Sequence, residues 1–98
     1  RDIIDGVLRK GPADEALLTA RLERRGISPE VASAAAAEAL AEVDPASEAA
    51  EWARAQFEAM DGGLARSTRL RRVRDRLARR GFDAEVIEEI MHRLDEAT

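Results

Sequence analysis

The segment RLERRGISPEV at residues 21–31 returns as RLARRGFDAEV at residues 76–86, and this gapless echo at an offset of 55 constrains the fold more than any other feature of the chain. The copies share Arg21/Arg76, Leu22/Leu77, Arg24/Arg79, Arg25/Arg80, Gly26/Gly81, Glu30/Glu85 and Val31/Val86, with Ile27 opposite Phe82. Repetition on this scale implies one supersecondary unit used twice, so that similar faces are presented in series.

The punctuation around the echo is helical. Asp2 to Arg9 places Ile3, Ile4, Val7 and Leu8 at helical spacing, and Lys10-Gly11 ends that helix. Pro12 suits the first turn of a second helix running to Arg25. Gly26 stops it by taking a left-handed conformation, and Ile27 folds back on the helix it leaves. Ser28-Pro29-Glu30 reads as an N-cap, a first-position proline and an acid at the positive end of a third helix that ends near Glu42. In the second half, Asp44-Pro45 opens a longer helix to about Met60, Asp61-Gly62-Gly63 breaks it, and Ser67 or Thr68 starts the next, which reaches Arg80. Gly81, Phe82 and Asp83 then repeat the stop, the apolar return and the cap. The last helix carries Val86, Ile87, Ile90, Met91 and Leu94 on one side. The expected fold is all-α, with six helices in two tandem three-helix repeats, residues 1–43 and 44–98, packed as one globule or drawn out into an elongated or curved array.

Composition bounds what such an array can do. Of 98 residues, 45% are hydrophobic but only 3% aromatic, so the core has to be built from Leu, Val, Ile and Ala. With no cysteine there are no disulfides, thiolate metal sites or cysteine nucleophiles, which suits a reducing cytoplasm. No apolar run approaches the roughly 20 residues that cross a bilayer. A soluble, cytoplasmic monomer without membrane contact is expected, and a chain that starts at Arg1 is expected to be a processed product or an excised piece. His92 is the only histidine and is expected to be solvated or half-buried; Glu88 and Glu89, adjacent on a helix, point in different directions. Trp52 and Phe57 are expected in the core or between repeats, and Gly62-Gly63, without a following Lys-Ser or Lys-Thr, reads as a turn. The chain is therefore not expected to be an enzyme: no catalytic, metal or cofactor site is assigned to it.

Charge is the remaining resource. Residues 28–61 hold eight acids against Arg54 alone, residues 62–81 eight arginines against Asp75 alone, and residues 82–98 six acids against Arg93 alone. Lys10 is the single lysine. Arginine presents a rigid fork that grips carboxylate or phosphate through paired hydrogen bonds, so the basic block suits an acidic protein face or a nucleic-acid backbone. On a helical wheel Leu70, Val73 and Leu77 share one face, while Arg69, Arg72, Arg76, Arg79 and Arg80 fill an adjoining arc that is expected to face outward. Arg21, Arg24 and Arg25 repeat it more thinly. The plain alternative is a solvated face offset by the flanking acidic helices.

The duplicated pattern of Leu, basic residues, Gly and an apolar residue, followed by a capped helix with Glu and Val, resembles the tandem repeats of the RecX family, bacterial regulators of the RecA recombinase. PADEALLTARLERRGI from Pro12 looks like the second repeat of that family, and Trp52-Ala53-Arg54 with RLRRVRDRLARRGFDAEVIEEIM looks like the third. The resemblance implies that the family's N-terminal region and first repeat lie outside this sequence. It also implies a role in DNA repair, homologous recombination and the SOS response. There the partner is the RecA filament on single-stranded DNA, whose ATP hydrolysis, strand exchange and growth are inhibited by a protein seated in the filament groove. Repeats spaced along a filament add weak contacts through effective concentration. The partner-binding residues expected on this basis are Arg69, Arg72, Arg76, Arg79, Arg80, Arg21, Arg24 and Arg25, and the structural turns are Gly26, Ile27, Ser28 and Gly81, Phe82, Asp83. The alternative is direct nucleic-acid binding by the basic helix from Arg66 to Arg80.

Overall fold

The computed structural model describes residues 2–97. Six helices follow one another: α1 (Asp2–Arg9), α2 (Glu15–Arg24), α3 (Pro29–Ala39), α4 (Pro45–Ala59), α5 (Arg66–Arg79) and α6 (Ala84–Ala97), with no strand among the described residues. The molecule is elongated, 44 × 20 × 19 Å.

Two hydrophobic clusters hold it. In the first, Ile4 and Val7 of α1 meet Leu18 and Leu22 of α2 and Ala32 and Ala36 of α3, with Ala13 from the α1–α2 loop. In the second, Ala49, Ala53 and Phe57 of α4 face Val73 and Leu77 of α5 and Ile87, Ile90, Met91 and Leu94 of α6, with Phe82 from the turn. Alanine where α3 and α4 are buried lets helix axes approach closely. Both phenylalanines and Met91 fall in the second cluster, with Met60 packed against it, and that cluster is accordingly the bulkier.

The echoed turns have the same geometry. Gly26 and Gly81 both lie at φ +92°, where a side chain is strained. Gly26 donates to Glu23 O and Ile27 to Leu22 O; Gly81 donates to Ala78 O and Phe82 to Leu77 O. These are the paired bonds of a Schellman motif, which satisfies the last carbonyls of each helix. The caps follow as the sequence implies: Ser28 Oγ accepts from Val31 N at 3.4 Å, Asp44 Oδ1 from Ser47 N at 3.4 Å, and Asp83 Oδ1 from Val86 N at 2.9 Å.

Three details depart from the sequence reading. Pro12 is not in the first turn of α2, which starts at Glu15; residues 11–14 form an open corner. Neither Ser67 nor Thr68 caps α5: both lie inside it, and the cap position falls to Ala65, which offers no side-chain acceptor. The third helix ends at Ala39 rather than near Glu42, with turns bonded from Ala41 to Glu38 and from Val43 to Leu40.

Candidate interaction surface

The arginines of the echo divide into those used by the fold and those left free. Arg80 stands at the C-cap of α5, one residue before Gly81. Its side chain crosses to the other unit, where Nε donates to Pro12 O at 2.8 Å and Nη2 to Val7 O and Gly11 O, each at 2.7 Å. The backbone joins in, Asp14 N donating to Arg80 O at 3.1 Å. One guanidinium thus collects the carbonyls at the end of α1 and in the corner beyond it, adding a second donor to Val7 O, which also accepts from Lys10 N, and serving Gly11 O and Pro12 O in the loop. Hydrogen bonds from a charged donor contribute about 1.5–3 kcal/mol each in favourable settings, so this clasp is a main tie between the units. Burial, and secondarily the positive charge of Arg21, push the Arg80 pKa below its ordinary value.

The corner is filled around this clasp. A side-chain carbon at Gly81 would lie 2.7 Å from Leu17 Cβ and 3.1 Å from Leu17 N, so the turn sits directly on α2 of the first unit. A carbon at Gly11 would lie 3.2 Å from Trp52 Nε1, which places Trp52 at the same junction, as expected for a residue that packs repeats.

Other α5 arginines are also engaged. The Arg69 guanidinium lies 4.0 Å from the centre of the Phe57 ring and donates through Nη2 to Phe57 O at 3.0 Å, a cation–π contact fixed by a hydrogen bond. Arg76 bonds Gln56 Oε1, Arg66 pairs with Asp95 at 2.6 Å, and Arg74 pairs with Glu88. The arc expected to face outward is therefore half withdrawn: Arg69, Arg76 and Arg80 are partly buried, and Arg72 and Arg79 alone of the five are exposed. The reason is packing of neighbours that the wheel of a single helix does not contain. The acidic block of α6 accounts for the pairs, Asp95 and Glu88 answering Arg66 and Arg74 across the α5–α6 contact.

In the first copy the arginines stay available. Arg21, Arg24 and Arg25 are exposed, and none of their side chains has an ion-pair or hydrogen-bond partner among the described residues. They share an open cleft of about 650 Å³ between α1 and α2 with Arg9, Lys10 and the flank of Arg80. Arg9 and Lys10 were not singled out from the sequence; the signal for them was a basic pair in the last turn of a helix, next to a glycine corner. His92 is exposed and sits 3.3 Å from Glu96 on its own helix, and no group of His, Cys, Asp or Glu suited to a metal ion occurs among the described residues.

The fold and this surface define a class: an all-α protein of three-helix units with an unpaired cluster of arginines at the α1–α2 cleft. Residues 71–94, from the middle of α5 through the echoed turn into α6, match the family model for the first three-helix domain of RecX. The match makes this segment, 24 of the 98 residues, similar to RecX. The family is regulatory and helical, and it acts on RecA. The family model is that of a first three-helix domain, whereas the sequence resemblance sets the same segment beside the third repeat; repeats with one turn grammar resemble each other. No curated protein and no solved structure matches the chain. No helix among the described residues is long and apolar enough to cross a membrane.

Proposed function

We propose that this protein binds the RecA filament on single-stranded DNA and restrains its ATP hydrolysis, strand exchange and growth, working as a cytoplasmic monomer with two units, residues 1–43 and 44–98. The observation that carries the reading is the family match over residues 71–94, which includes the exposed arginines Arg72 and Arg79. An elongated body 44 Å long with a basic face in each unit suits a partner with repeating acceptor sites, because two modest contacts on one rigid body reinforce each other. Blocking a filament requires no catalytic residue.

The test is DNA-dependent ATP hydrolysis by the cognate RecA. Added protein should slow it, and Arg72→Glu with Arg79→Glu should weaken that effect several-fold while leaving helicity unchanged, since both side chains are exposed and have no partner among the described residues. Full inhibition by the double variant would remove this face from the mechanism; no inhibition by the unaltered chain would overturn the reading. Nucleic-acid binding by the α5 helix itself is less well supported, because Arg66, Arg69, Arg74, Arg76 and Arg80 already have partners within the fold.

A further inference from the structure

We infer that the cleft between α1 and α2 is a phosphate-binding groove for single-stranded nucleic acid, separate from the α5 face. Its walls bring together Arg9 and Lys10 from the end of α1, Arg21, Arg24 and Arg25 from α2, and Arg80 from the opposite unit, and Asp2 is the one acid among the described residues that line it. The side chains of five of these six cations have no partner among the described residues, and the sixth, Arg80, has its fork turned to carbonyls while its charge remains in the wall.

Such an arrangement costs the folded chain repulsion without a compensating pair. Arg80 feels it in second place: burial first, and then the charge of Arg21, disfavour its charged form. A bound polyanion would relieve that repulsion at once. Arg21, Arg24 and Arg25 stand at i, i+3 and i+4, so their forks emerge as one rank on the same side of α2. Sulfate-sized anions would engage one or two of them; a strand with a charge at every nucleotide would engage the rank.

The lining separates phosphate from protein. A protein docking site normally has an apolar centre with charges at its rim. Here the centre is charged, the apolar residues Ile3 and Val7 are largely or wholly withdrawn into the core, and the exposed large apolar side chain of the molecule, Val31, does not line the cleft. There is no aromatic ring in the lining to stack on a base. Recognition would therefore run through the backbone, be indifferent to sequence, and fall with salt. The whole chain carries net −4, so attraction to a polyanion depends on where its cations gather and not on the total.

The experiment uses the chain alone with a fluorescein-labelled oligothymidine, read by anisotropy from about 25 to 200 mM salt, in the absence of RecA. Saturable binding is expected, weakening steeply with salt. Arg21→Gln with Arg24→Gln should lower affinity about tenfold and reduce the log–log salt slope by about two, one for each lost phosphate contact. Arg71→Gln with Arg72→Gln, equally exposed on α5, should change affinity less than about twofold. The inference is overturned by no binding at the lowest salt, by equal losses in the two double variants, or by oligoglutamate of the same charge displacing the strand at equal concentration, which would mark a carboxylate site for an acidic protein. Because no recombinase is present, any of these results leaves the ATPase reading standing, and loss of ATPase inhibition leaves the groove standing.

Discussion

Arg25 and Arg80 occupy the same station of the same turn, one residue before a glycine at φ +92°, yet their surroundings have nothing in common. Arg80 is drawn into a corner of three carbonyls, and the glycine after it touches α2 of the neighbouring unit. Arg25 is exposed in a wall of like charge, and a side-chain carbon on Gly26 would meet nothing within 4 Å. The turn is thus a folding device common to both copies, on which evolution or chance has placed two different uses. In the second copy it is a plug; in the first it is a free surface.

The widest expected gap lies between the two glycines. Gly81→Val combines backbone strain with a collision at Leu17, and should destabilise the protein by about 3–5 kcal/mol in urea unfolding, whereas Gly26→Val should cost only the strain, about 1–3 kcal/mol. Equal losses would break the distinction between docked and open turns. Next come the arginines. Arg80→Ala should cost about 2–4 kcal/mol by stripping its donors from Gly11 O and Pro12 O and leaving Val7 O with Lys10 N alone, while Arg25→Ala should stay within about 0.5 kcal/mol, both by the same unfolding measurement. A costly Arg25→Ala would mean that the first turn has a partner too. The caps give the smallest contrast: Asp83→Ala, which removes a 2.9 Å bond and a charge at the start of α6, should cost about 1 kcal/mol, and Ser28→Ala, with its 3.4 Å bond, about 0.5 kcal/mol. Reversal of that order would show that helix α3 depends on its cap more than its thin alanine packing implies.

What could be read in advance follows the range of the interactions. The turns and caps are local: a glycine, the apolar residue after it and a Ser or Asp before the next helix act within four or five residues, and they sit where the echo places them. The core was legible as a type and less so as a distribution, since nothing in the amino-acid content says that Phe57, Phe82 and Met91 gather in one cluster. The arginine face was misread at Arg69, Arg76 and Arg80 because their partners are 12, 20 and 68–73 residues away. A helical wheel identifies the side of α5 opposite Val73 and Leu77, but not which flank α4 or the α1–α2 corner will cover. Pro12 misled for the same reason. It is compatible with a first helical turn, but here its carbonyl is drawn out to receive Arg80. The emphasis on the second copy changes accordingly: the richer arginine block is largely internal bookkeeping of α5 with α4, α6 and the corner, and the sparser first copy keeps its charges available.

The Arg80 clasp has one consequence for the molecule as a lever. The units share no extended helix-to-helix seam, and the joint is concentrated at a corner with a guanidinium at its centre. Small changes in that corner are magnified at the far ends of a body 44 Å long. The angle between the two faces, and with it the pitch of partner sites they could straddle together, is therefore gauged by one corner, where the Arg80 clasp, Gly81 on Leu17 and Trp52 beside Gly11 meet.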